Sequence, residues 1–256
     1  MSLPALYPGQ WNDVVDLRDF YDSSAGQVAC RLIRRQVRQL WPDVAGQRVL
    51  GLGFATPYLR PFLAEAERVA AVMPASQGVL HWPPEGPGLT LLADETDLPF
   101  ADRCMDRILL VHALEATEHV RGLMREIWRV LADGGRLVIV VPNRRGIWAR
   151  LERTPFGNGR PYTTGQLARL LRDTMFTPMS HSGALLLPPT SSRLWLRFAP
   201  AFEELGRRWF EGFSGVNIVE ATKQIYAAGG TREVRAKRSR YLPMPQGFGR
   251  SLSSRE

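Results

Sequence analysis

Two cysteines, four histidines and no apolar run long enough to span a membrane set the first exclusions for this 256-residue chain. Cys30 and Cys104 fall in segments expected to pack and lack the spacing of a metal knuckle. Reduced thiols and a cytoplasmic location are therefore the expectation. The histidines are scattered, with no paired spacing, so no metal site is expected. There is no phosphate-binding loop with its lysine, no serine nucleophile elbow and no internal repeat. Acids within the first twenty residues, with no cationic stretch leading into an apolar one, argue against a secretory leader.

Acidic residues are short relative to basic ones, and the formal charge is +8. From Thr231 to Glu256, seven bases against two acids account for five of those charges. A basic tail on a mildly basic body is weak support for nucleic acid, and no groove of interleaved aromatic and basic residues supports it either. The hydrophobic fraction, 45%, is that of an ordinary globular chain with one substantial core.

The most informative stretch runs from Leu91 to Asn143. Ile108–Val111 and Leu137–Val141 have the length and β-branched content of buried strands. Between them a helix places Val120, Leu123, Met124, Ile127, Val130 and Leu131 on one face, with Arg121, Arg125 and Arg129 on the other. Gly134 and Gly135 supply its exit. Strand, helix, strand is a right-handed crossover, so the two strands should be parallel neighbours. Ligands of such sheets sit beyond the carboxyl ends of the strands, here His112–Glu115 and Pro142–Arg145.

The order of pieces in this stretch resembles the class I S-adenosylmethionine-dependent methyltransferases, small-molecule methyltransferase domain type. Those pieces are an acid before LPF, MDRILL, ALE, REIWRVL and GGRLVIVVPN. The resemblance implies an α/β fold with a Rossmann-like seven-stranded sheet, mostly parallel with an antiparallel last strand and helices on both faces. It implies S-adenosyl-L-methionine as cofactor. It also aligns Asp94 and Glu95 with the adenine-binding acid and its neighbour, Leu98–Phe100 with the lid of the adenine slot, and His112 with the presented reacting centre.

The chain departs from that pattern at the first two strands, expected at Arg48–Leu52 and Val69–Met73. In the loop GLGFATP, Gly51 stands where the family has an acid. Gly53 keeps one of three glycines, and Ala55 and Pro57 take the other two. Thr56 and Pro57 read as an N-cap and first-turn pair. At the second strand end Met73 stands in place of the carboxylate that meets the ribose. A thioether is a weak acceptor, and losing a charge-assisted bond costs roughly 1.5–3 kcal/mol. The proline- and glycine-rich segment 74–88 should not form a regular helix, and Trp82 should cover the sheet edge.

Elsewhere, residues 1–22 read as irregular, with Trp11, Phe20 and Tyr21 packed on the body. Ser23 or Ser24 caps a helix to about Trp41 whose buried stripe includes Ala29, Leu32, Ile33 and Val37. Arg31, Arg34, Arg35 and Arg38 form a second stripe, either a solvated face or a surface for an anionic partner. Leu91–Ala93 is the third strand. A helix begins near Thr163 or Thr164, and Leu185–Leu187 and Val216–Tyr226 are the last two strands. Residues 1–230 should form one domain, with a helical extension at 1–45, an amphipathic helical insertion at 188–213 and a flexible basic tail at 231–256.

Two functions follow. The first is methyl transfer to a small-molecule acceptor, with His112 as base and Glu115 as the next candidate. Arg144, Arg145, Arg160 and Tyr162 would bind an anionic group on that acceptor. The second is a catalytically weakened methyltransferase fold that binds a protein partner through its helical insertion or basic tail.

Overall fold

The computed structural model describes residues 13–151, 154–186 and 214–225; Trp11, the expected 188–213 insertion and the 231–256 tail lie outside them. Seven strands form one sheet: β1 Arg48–Gly53, β2 Arg68–Pro74, β3 Thr90–Ala93, β4 Met105–Val111, β5 Leu131–Pro142, β6 Phe176–Ala184 and β7 Val216–Lys223, in the order β3-β2-β1-β4-β5-β7-β6. β1, β2, β3, β4 and β5 run parallel, and β7 runs antiparallel to both β5 and β6. This is the expected Rossmann-like methyltransferase sheet.

Alternation along the central strands divides the interior into two layers. Val49, Leu109, Val111, Val138 and Val140 face α1 (Val14–Asp22), α2 (Ser24–Leu40) and α3 (Thr56–Leu59). Leu50, Ile108, Leu110, Leu137 and Ile139 face α4 (Val120–Val130) and α5 (Thr164–Asp173). Parallel strands buried on both faces need such continuous apolar runs, which is why they are so plain in the sequence.

Local differences from expectation have local causes. Residues 14–22 form a helix, because the Asp13 carboxylate accepts from Val15 N and Val14, Leu17, Phe20 and Tyr21 share one buried face. Ser23 caps the next helix by accepting from Gly26 N. Thr56 is the first residue of α3 and its cap is Ala55, without a side-chain bond. α4 ends at Val130 because Leu131 is already extended, so Gly134 and Gly135 do not terminate it. Gly134 (φ 78°) instead lies where β5 shifts register against β4. β6 begins nine residues before the expected Leu185, which stands outside the strand at φ 65°.

Arg129 is not a surface residue of α4. Its guanidinium donates to Leu98 O (2.9 Å), Phe100 O (2.7 Å) and Asp102 (2.8 Å), and it pairs with Glu126 at 2.7 Å. Glu126, in turn, accepts from Leu98 N at 2.9 Å. The segment after β3 is thus clamped to α4 through both its amides and its carbonyls. No helix of the described residues is long and apolar enough to cross a membrane.

Candidate functional site

β1 and β4 end side by side, with Gly53 paired to Val111. Gly53 has φ 75°, and a Cβ there would overlap the Val111 carbonyl oxygen. A Cβ on Gly51 would press on Leu59 and Ala55. Both glycines therefore serve close packing of the strands and α3, and Ala55 is fully buried beside them.

Just beyond this junction His112 adopts φ 52°, a left-handed conformation that is strained for a non-glycine residue and found most often at functional tips. Its ring is buried and engaged at both nitrogens. Nε2 lies 2.8 Å from the Tyr21 hydroxyl and Nδ1 lies 3.2 Å from Glu115 Oε1. The Tyr21 hydroxyl also meets that of Tyr58 at 2.6 Å. Burial pushes both phenols well above their ordinary range, so they stay protonated. With hydrogen on Nδ1, donors run consistently from Tyr58 through Tyr21 and His112 to the Glu115 carboxylate. The Phe156 ring, 4.9 Å from His112, closes one side.

The Gln77 amide closes another. It is buried, and Nε2 donates to the His112 carbonyl at 2.6 Å while Oε1 has no partner. Gln77 O accepts from Val14 N, so the start of α1 is tied to the same place. Met73 at the end of β2 is fully buried among apolar side chains.

The β3 tip differs. Asp94 is exposed and accepts from Thr96 N and Oγ1, both at 2.7 Å, which hold its carboxyl below the usual range. Glu95 accepts from the Thr117 hydroxyl at 2.6 Å, and Leu98 is buried beneath. A shallow cavity of about 560 Å³ brings Asp94, Glu118, His119 and Arg160 together. Arg160 N donates to Glu115 O, and a Cβ on neighbouring Gly159 (φ 74°) would overlap that carbonyl, which fixes the loop over the β4 tip. Tyr162 is half-buried, and burial raises its phenol. Arg144 and Arg145 are exposed beyond β5 and do not line this cavity.

Sequence reasoning therefore located the tips but missed Tyr21, Tyr58 and Gln77, whose roles depend on contacts 35 or more residues away in the chain. The aromatic run before the Ser23 cap was the one available signal. A larger cavity, about 750 Å³, opens between α1, α2, α3 and the loop at 80–84; Trp82 borders it.

Residues 50–139 match the methyltransferase domain family. Among curated proteins, the demethylmenaquinone methyltransferase of Corynebacterium glutamicum is 28% identical over 109 residues, 43% of this chain and 47% of that protein. An uncharacterised protein of Mycobacterium tuberculosis is 28% identical over 188 residues, 68% of this chain and 62% of its own length. The chain thus spans about half the length of the demethylmenaquinone methyltransferases it matches. In structure, an S-adenosylmethionine-dependent methyltransferase of Thermotoga maritima superposes with a TM-score of 0.61 at 18% identity, covering 84% of this chain and 97% of that one.

Proposed function

We propose that this chain is a class I S-adenosylmethionine-dependent methyltransferase acting on a small-molecule acceptor, a reading supported by the methyltransferase-domain match at 50–139 and by the sheet order. The observation that carries the reading is the segment 50–139, whose family match runs through the tips of β1, β3 and β4 and includes the exposed Asp94 carboxylate.

The residues suit the cofactor unequally. At the β3 tip, Asp94 offers an exposed acceptor above buried Leu98, and Glu95 follows it, as an adenine ring would need. Between β2 and β4, room for the rest of the molecule requires the Gln77 side chain to turn out. Its unpartnered Oε1 favours that movement, since a buried orphaned acceptor costs about 1–3 kcal/mol that water would relieve. Gly51, Gly53 and Ala55 would then give backbone contacts. Met73 would give an apolar one.

S-adenosylmethionine supplies the electrophilic methyl group of its sulfonium. The chain's own task is alignment in a dry pocket and removal of a proton from the acceptor. His112 is our base: Glu115 orients its imidazole, and Tyr21 holds Nε2, so a proton would reach it through that hydroxyl. Arg144, Arg145, Arg160 and Tyr162 would orient an acceptor bearing a carboxylate or phosphate.

A second reading has its own support. The Gln77 amide already fills the position on the His112 carbonyl, and the ribose carboxylate is replaced by buried Met73. These favour a methyltransferase fold kept as a binding protein. Calorimetry with S-adenosylmethionine and S-adenosylhomocysteine decides: dissociation constants weaker than roughly millimolar select the second reading. On the first, Asp94→Ala abolishes measurable binding and Arg35→Ala leaves it unchanged; the reverse pattern refutes the assignment of the pocket.

A further inference from the structure

We propose that the cavity between α1, α2, α3 and the loop at 80–84 is a binding site for a small organic anion with an aromatic or apolar body. The charged groups that carry this proposal, Arg31 and Arg34, take no part in the methyltransferase reading, and neither Gly53, Met73 nor Asp94 lines the cavity, although Tyr21 and the loop residues Phe54, Thr56 and Pro57 border it.

Its volume, about 750 Å³, suits a ligand of two or three fused rings with substituents. One wall is aromatic: Tyr21 and Phe54 stack with centroids 5.5 Å apart and rings inclined by 19°, and Trp82 faces the same space. The rest of the lining is rich in cations. Arg18 and Arg60 at the rim are each held by a carboxylate, Asp19 at 2.8 Å and Glu85 at 3.0 Å. Arg31 and Arg34, one helical turn apart on α2, have no carboxylate partner among the described residues.

Arg34 is preorganised. Its Nη2 donates to the Pro57 carbonyl and to Cys30 Sγ, which pins the guanidinium at the cavity wall while Nε stays buried and unpartnered. A planar donor fork fixed in this way is suited to a carboxylate, sulfonate or phosphate. Arg31 is exposed and, among the described residues, its only hydrogen bond is from Nε to Gln27 O at 3.4 Å, leaving its terminal nitrogens to meet a ligand. Asp22, the one carboxylate lining the cavity among the described residues, would repel a second anionic group. Two cations without a carboxylate partner against one acid, in a cavity that also has aromatic lining, select an amphiphilic monoanion over a cation, a metal ion or a polyanion.

The stripe of arginines on this helix thus divides by partner: Arg38 is committed to Glu65 at 2.7 Å, whereas Arg31 and Arg34 line the cavity.

The test is a fluorescence titration of the full chain with 8-anilinonaphthalene-1-sulfonate, alongside the uncharged N-phenyl-1-naphthylamine. The anion should bind saturably at one site and be displaced by naphthalene-1-sulfonate. Arg31→Glu should weaken the anionic probe about tenfold or more while changing the uncharged probe by less than about threefold. Trp82→Ala should weaken both. Asp94→Ala should weaken neither, which separates failure here from failure of the cofactor site. Unsaturable binding, equal loss of both probes in Arg31→Glu, or an anion affinity that Arg31→Glu leaves within about twofold would overturn the proposal. Urea melts of each variant, superimposed on that of the parent chain, establish that the probe reports the cavity and not a loosened fold.

Discussion

The two halves of the sheet treat the same architecture differently. On one side the β3 tip is open at Asp94, and the chain that follows it is clamped by Glu126 and Arg129. On the other, the β1, β2 and β4 tips are closed: Gln77, Tyr21 and Phe156 crowd His112 at the end of β4, and Met73 is sunk in the core. The lesson is that a scaffold survives through packing, which many residues share, whereas a cofactor seat rests on a few polar groups that single substitutions can replace.

The sharpest way to break this contrast is at the clamp. Arg129→Ala should destabilise the chain by about 3 kcal/mol, because it strands the buried Glu126 carboxylate and the Leu98 and Phe100 carbonyls. Urea unfolding measures it, and a loss below about 0.5 kcal/mol would mean that packing alone holds the segment. Tyr21→Phe comes next. It leaves His112 Nε2 and the Tyr58 hydroxyl without their shared partner and should cost about 2 kcal/mol, read from the same melts.

Gln77→Ala asks whether the closed half can reopen. Removing the amide that sits on the His112 carbonyl should tighten S-adenosylhomocysteine binding about tenfold by calorimetry. Unchanged affinity would show that Gln77 does not stand in the cofactor's way. The smallest effect is with pH. Hydrogen bonds from Arg129, opposed by burial and aided by the Leu98 amide, hold the Glu126 carboxyl below its usual range. A depressed folded pKa gives stability that is present above the ordinary carboxylate range and is lost as pH falls through the lowered value. The stability advantage of the parent chain over Glu126→Gln should therefore shrink as pH falls below about 4. An advantage that is flat with pH would assign the clamp to shape instead of charge.

What could be read in advance follows the range over which each signal acts. β4 and β5 are apolar runs buried on both faces, and α4 repeats its apolar residues at helical spacing; both signals are local. α1 was hidden because its buried face is short and its partner, Gln77, lies more than sixty residues away. β6 was misplaced because Pro178, Ser180, His181 and Ser182 give it no apolar run; β7 pairing forms the strand, with a register shift at Pro178. Arg129 looked like a solvent-facing residue by its position on the helix. Only the fold of the 98–102 segment beneath it supplies its carbonyl partners.

For the site, the residue types at the tips were legible and their company was not. Asp94 and Arg160 share one cavity, although 66 residues separate them, while Arg144 and Arg145 lie outside it. The larger cavity had a trace in the sequence, the arginine spacing on α2, but its aromatic wall comes from α1, the β1 loop and the 80–84 loop.

Sequence by itself determined the central strands, their crossover and the presence of Gly51 and Met73 where the family has acids, since hydrophobic period and residue identity need no distant neighbour to be read. Tertiary structure alone decided which groups come together: that His112 is held by Tyr21 and Glu115, that Gln77 closes the tip, and that Arg31 and Arg34 line one cavity with Tyr21, Phe54 and Trp82. Hydrogen bonds and ion pairs act over a few ångströms, so their partners are fixed only when the chain has folded.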